Sequence, residues 1–282
     1  MISKLKQIVL DKNVFAFTKE EALCALAKSY ALLLSDALLY ECATAKKQNP
    51  QTLFCRYERL IKAGAHYCSM HRSFLEWEGW HCVPYLESLA DAQLTNRLRH
   101  GDIRIDSILT SKLPDYLNAV HTRRADALLA EFSRHMKRKV DSHIEDLASQ
   151  INRIPNPRSR RLGEWLRRID QMDIYAMGVE SLPAGWIRVS GEFCLSFAWM
   201  TWQYVRLVAA LEYEYWYVRQ TGGPRDKWAE HDLEDAEYAL LLSRADAIIT
   251  RDKGLAELIR AAFPGKKAFS SLKDVPGDWA NR

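Results

Sequence analysis

Five acidic residues carry the chemical argument. Asp11 follows a short apolar run, Gln7 to Leu10, and Asp252 closely follows another, Ala247 to Thr250. Glu41 lies inside an otherwise apolar stretch, Ala37 to Ala43, while Asp232 and Asp235 are three apart at a helix start and so share one face. The Asp232 and Asp235 pair has a plain structural explanation, because Asp near a helix amino terminus caps free amides and meets a favourable dipole, and singly each of the five is more readily structural than catalytic. Gathered together they are costly, since carboxylates within about 4 Å repel by about 4 kcal/mol per pair at an effective dielectric near 20. A protein keeps such a cluster chiefly where a cation compensates it. All-oxygen donors suit hard Mg²⁺ or Mn²⁺. A cation held this way activates water and neutralises charge on a phosphodiester during in-line attack. These residue types therefore point to phosphodiester hydrolysis.

The elements that must position them can be read in outline. Gln7 to Leu10 and Ala247 to Thr250 are expected as buried strands, each ending in polar residues. Helices are expected over Lys19 to Leu33, Asp36 to Lys46, Asp232 to Arg244 and Gly254 to Ala262, the last halted by Pro264-Gly265. Strand alternating with helix implies a parallel α/β sheet, whose ligands bind beyond the carboxyl ends of the strands. That rule would bring Asp11 and Asp252 to one crevice. From about Pro50 to Gly223 strand signals nearly vanish. Leu129, Phe132, Met136, Val140, Ile144, Leu147 and Ile151 mark one apolar helix face there. The reading is one α/β core in two parts, residues 1–50 and 224–282, interrupted by a mostly helical insertion, 51–223.

Composition fits a soluble globular protein: 48% of the 282 residues are apolar and the formal net charge is only +4, so no charged tail dominates. Cysteines at 24, 42, 55, 68, 82 and 194 form no CxxC pair, and the start of the chain lacks a signal-peptide pattern, so a reducing cytoplasm is expected. Phe197 to Val218 is long enough to span a bilayer but contains Arg206, Glu212 and Glu214. At about 2.5 to 3.5 kcal/mol per central charge, a buried helix is favoured over a membrane span.

Three pieces, in order, resemble PIN-domain nucleases. IVLDKNVF is similar to that family's opening strand, an Asp followed two positions later by Asn or Ser. LLLSDALLYECA resembles its Glu-bearing helix, and DLEDAEYALLLSRADAIITRDKGL its closing Asp-led helix and Thr-x-Asp strand end. The resemblance covers residues 5–48 and 228–275 and implies a PIN-like three-layer fold interrupted by the insertion. It implies Asp11, Glu41, Asp235 and Asp252 as the catalytic, metal-binding carboxylates, with Asp232 a rival to Asp235 or a fifth member. Asn13 and Thr250 become their supports. Hydrolysis by a metal-activated water would leave a 5′-phosphate on one product. PIN proteins serve as toxins, RNA-processing enzymes or defence effectors, so RNA is favoured over DNA, and an antitoxin-like partner or a second copy is compatible. The departure is the long interruption, with a role in binding substrate, partner or second subunit.

Basic residues concentrate at Arg153, Arg158, Arg160, Arg161, Arg167 and Arg168 around Trp165, a candidate nucleic-acid face because Arg forks bind phosphate and an indole can stack a base. Arg123, Arg124, Lys137, Arg138 and Lys139 form a weaker second group. Other chemistries have less support. His66, Cys68, His71, His81 and Cys82 lack clean zinc-ligand spacing, and neither a phosphate-binding Gly-rich loop nor a GxSxG elbow is present. A phosphatase that opens with strand and Asp would carry a second Asp where Asn13 stands. The rival from another class is a non-catalytic PIN-like module that binds nucleic acid or protein; loss of acidic positions would mark it, and all four are retained.

Overall fold

The computed structural model describes residues 5–69, 74–75, 77–78, 81, 83–109, 148, 150–170, 196–222, 228–277 and 279, with the side chains of 228–233 outside the description. Five strands form one sheet: β1 (Gln7–Leu10), β2 (Ala31–Ser35), β3 (His66–Cys68), β4 (Ala247–Ile249) and β5 (Lys267–Phe269). Their order is β3-β2-β1-β4-β5 and every pairing is parallel. Parallel neighbours need crossovers, and helices supply them. The chain passes through α1 (Lys12–Phe17) and α2 (Glu20–Ser29) between β1 and β2, then α3 (Asp36–Ala43) and α4 (Pro50–Ala63) before β3.

The two ends of the chain thus share one sheet, Ile8 pairing with Leu32 on one side and Ala247 on the other. The central strands are almost wholly apolar and buried, as a sheet covered on both faces requires. From β1 the chain steps outward to β2 and β3, then returns across β1 to β4 and β5. The direction of winding therefore reverses between β1 and β4. Such a switch point opens a crevice at the carboxyl ends of the strands.

Two sequence readings need correction. The helix expected over Lys19 to Leu33 stops at Ser29, and Ala31–Ser35 is the fully buried strand β2. Its three leucines favour helix intrinsically, but strand pairing on both sides overrides that weak preference. The boundary at residue 51 also moves, because α4 packs on α2 and β3 adds to β2, so the core continues through Cys68. Three residues, one of them His, were too short a run to register as a strand. Gly64 ends α4 with φ +123°, and a Cβ there would stand 3.0 Å from the Ala27 carbonyl oxygen, so glycine permits both the turn and the close approach to α2.

Between β3 and β4 the described helices are α5 (Ala92–His100), α6 (Arg158–Asp170), α7 (Met200–Gln220) and α8 (Trp228–Leu241); α9 (Lys253–Ala262) links β4 to β5. The periodic stretch from Leu129 to Leu147, and the weaker basic group from Arg123 to Lys139, lie outside the described residues. Helix α6 packs on both α7 and α9, and α7 packs on α8, so the intervening helices join the same hydrophobic core as the sheet. Helix α7, the segment examined for a membrane span, is buried along most of its length. Its two buried charges are satisfied by protein, Arg206 pairing with Asp170 at 2.6 Å and Glu214 with Arg161 at 2.6 Å, while Glu212 is exposed. Glu78, fully buried, accepts the Met200 and Thr201 amides at 2.8 and 2.7 Å and so caps α7 with a carboxylate. Among the described residues no helix is long and apolar enough to cross a membrane.

Candidate active site

The switch point is lined by acids. Asp11 leaves β1 as the residue preceding α1, and its backbone N–H continues the ladder to the Ile249 carbonyl on β4. That bond places it beside Thr250, whose hydroxyl donates to Asp11 Oδ2 at 2.9 Å. The same hydroxyl accepts the Asp252 N–H at 2.9 Å, which fixes its proton toward Asp11. Asp252 in turn caps α9, Oδ1 accepting from the Gly254 and Leu255 amides at 2.6 and 3.1 Å. The turn after β4 therefore ties Thr250 and Asp252 into one hydrogen-bonded chain with Asp11 at the end of β1.

Glu41 enters from α3, and Tyr238 on α8 donates its hydroxyl to Glu41 Oε2 at 2.5 Å. Helices α1 and α8 both contact α3, which brings Glu41 into the electrostatic reach of Asp11. Asp235 lies one turn before Tyr238 on α8, hence on the same face. Its Oδ2 stands 3.8 Å, and Asp252 Oδ1 3.2 Å, from the point where a Gly254 Cβ would be. Arg158 Nη1 stands 2.8 Å from that same point.

Asp11, Glu41, Asp235 and Asp252 thus approach one edge of the sheet from four elements. Asp232 belongs to α8, with its side chain outside the description. Asn13 is exposed; it is the Lys12 and Asn13 amides that lower the Asp11 pKa, without closing a hydrogen bond of good geometry. Among the described residues no three His, Cys, Asp or Glu side chains stand close enough to hold a metal ion directly. The acids instead lie within one another's field, and three of them have one oxygen anchored: Asp11 by Thr250, Glu41 by Tyr238 and Asp252 by two amides.

Charge is strained here. Burial raises the Asp11 pKa, the Thr250 bond opposes this, and the neighbouring Asp252 adds to the rise. Burial pushes Glu41 up to about 8; Tyr238 pulls it back, and the fields of Asp11 and Glu234 raise it further, against Lys12. Glu41 keeps some exposed surface, yet protein surrounds its carboxyl group, so desolvation governs. Carboxylate oxygens are the donor type that hard Mg²⁺ or Mn²⁺ takes, and Asp11, Glu41 and Asp252 each have one oxygen held by the protein.

The basic stretch divides. Arg161 forms a buried fork with Glu214, bonds Asn156 Oδ1 at 2.5 Å and lies 4.6 Å from the centre of the Tyr217 ring. Trp165, expected as a stacking platform, is fully buried and donates its indole N–H to the same Glu214 at 3.1 Å. Both therefore hold α6 to α7 and are unavailable to nucleic acid, a correction to the expected face. Helical periodicity turns them inward, whereas composition alone had read them as one charged run. Arg167 and Arg168 share Glu164 at 2.7 Å each, while Arg160 is exposed.

Tyr238, Glu234 and Lys12 were not singled out from the sequence. Tyr238 carried a signal in retrospect, since it falls three residues after Asp235 on the same helix. Comparison with family models, with curated proteins and with solved structures finds no match to this chain.

Proposed function

We propose that this protein is a PIN-like, Mg²⁺- or Mn²⁺-dependent nuclease that hydrolyses phosphodiester bonds, RNA in preference to DNA. The observation that carries the reading is the approach of four carboxylates, each from a different element, to the crevice where the sheet reverses direction. A structural role explains Asp252 as a cap, but does not explain why Asp11 and Glu41 are retained at raised pKa beside other acids. A divalent cation, which Asp11, Glu41, Asp235 and Asp252 would hold, would supply a nucleophilic water at neutral pH and neutralise charge on the phosphodiester. The chain's own part is orientation. Thr250 restrains the rotation of Asp11, Tyr238 that of Glu41, and the α9 amides that of Asp252, which reduces the conformational search of these carboxylates. Glu41 can also hold a proton near neutral pH and release it when a cation or substrate changes the local field.

As a PIN-like nuclease the protein would serve as a toxin, an RNA-processing enzyme or a defence effector. The test is incubation of purified protein with labelled single-stranded RNA and single-stranded DNA in Mn²⁺, then in chelator. Metal-dependent cleavage of RNA that leaves a 5′-phosphate and vanishes in Asp11→Asn is expected. Cleavage unaffected by chelator, or equal in Asp11→Asn and wild type, would remove the carboxylates from the chemistry.

A further inference from the structure

Helix α6 supplies one residue to this site beside those from α8, and we propose that Arg158 binds the phosphodiester oxygens of the substrate there. The proposal rests on the nuclease reading above and assigns the intervening helices a part in completing the site. Helix α6 carries five arginines. Arg161 is committed to Glu214, Arg167 and Arg168 to Glu164, and Arg160 faces solvent. Arg158, in the first turn of α6, reaches the carboxylates instead.

Gly254 makes that approach feasible. A Cβ at this position would meet Arg158 Nη1 at 2.8 Å, inside normal contact, and would also crowd Asp252 Oδ1 at 3.2 Å. The glycine here is needed for room rather than for backbone conformation. Rigid surroundings hold the guanidinium in place: α6 packs on α9, and one turn further along the Arg161–Glu214 fork pins α6 to α7.

The electrostatic logic follows from the reaction. An edge lined with carboxylates repels an anionic phosphodiester, so a substrate-binding site needs fixed positive charge beside its acids. A guanidinium is always charged, and its planar fork matches two phosphate oxygens. The amino terminus of α9, which begins beside Asp252, adds its positive end. The competing role is that of a counter-ion to Asp252 and Asp235 alone. The two roles differ in what the loss of Arg158 does to RNA.

The test measures binding of single-stranded RNA by anisotropy in Mn²⁺, in the cleavage-deficient Asp11→Asn background, with thermal melts of the single variants. Adding Arg158→Ala is expected to weaken RNA binding about tenfold and to reduce the slope of log K against log salt by about 0.7. Arg158→Lys should keep the salt slope while losing part of the affinity. Gly254→Ala, which displaces the guanidinium without removing it, should weaken binding in the same direction. The rise in melting temperature on adding Mn²⁺ to otherwise wild-type protein should persist in Arg158→Ala. Unchanged RNA affinity and salt slope in Arg158→Ala, with a larger Mn²⁺ shift, would overturn the proposal and leave Arg158 a counter-ion. A wild-type protein that neither cleaves RNA nor gains stability from Mn²⁺ would instead defeat the nuclease reading, and this proposal with it.

Discussion

Replacing Glu41 with Gln in the metal-free protein should change how stability depends on pH. Glu41 titrates near 4.5 in an unfolded chain and at about 8 in the folded one, chiefly because burial disfavours its charge. Between those values the unfolded chain has released the proton and the folded chain still holds it. The stability contributed by the neutral carboxyl is therefore fully present below pH 4.5 and is lost progressively as pH rises toward about 8. Each pH unit in that window costs up to about 1.4 kcal/mol, which sets a ceiling of roughly 5 kcal/mol. Glu41 is partly exposed, so solvent relaxation reduces the effect to about 2 kcal/mol. Gln keeps the shape, can accept the Tyr238 hydroxyl and does not titrate. In thermal melts in chelator, the two proteins should coincide near pH 4.5, and by pH 8 Glu41→Gln should melt higher by about 4 to 8 °C. Added Mn²⁺ at pH 8 should narrow or reverse the gap, since a cation that binds the native wild type raises its apparent stability. Parallel melting curves from pH 5 to pH 8 would refute the reasoning and make Glu41 an ordinary surface carboxylate.

Three further predictions use the same instruments. Asp11→Asn should abolish cleavage yet melt in chelator at or above wild type, by up to a few degrees, with a smaller Mn²⁺ shift; a drop in melting temperature with an unchanged Mn²⁺ response would mark Asp11 as a turn residue only. Thr250→Val, which removes the bond to Asp11 Oδ2, should cost about 10- to 100-fold in activity, and Thr250→Ser should restore most of it; equal rates in all three proteins would show that the hydroxyl orients nothing. Arg161→Ala should destabilise the fold by about 3 to 5 kcal/mol because it strands a buried Glu214, whereas Arg160→Ala should change stability by less than about 0.5 kcal/mol; comparable melts would contradict the buried fork.

By itself the sequence determined the class of the fold, an α/β core on a parallel sheet, and the residue types on which the proposed chemistry rests. QIVL and AIIT are short, apolar and bounded by charge, so strands β1 and β4 and the acids beyond them were legible from local pattern. Strand β2 was not, because ALLLS reads as helix until two neighbouring strands claim its backbone. Nor were β3 and β5, three residues each, whose strand character comes from pairing. The types of the acids could be read locally, and the strand-end rule and the resemblance grouped Asp11 with Asp252 and Thr250, but the individual bonds could not be read. Asp11 meets Thr250 across 239 positions and Glu41 meets Tyr238 across 197, and no local signal spans such separations. The basic stretch shows the same division. Its charge was written in the composition, while the choice of which arginine is buried, which is paired by acid and which reaches the site was made by packing, since only the rotation of α6 against α7 and α9 decides where each side chain points.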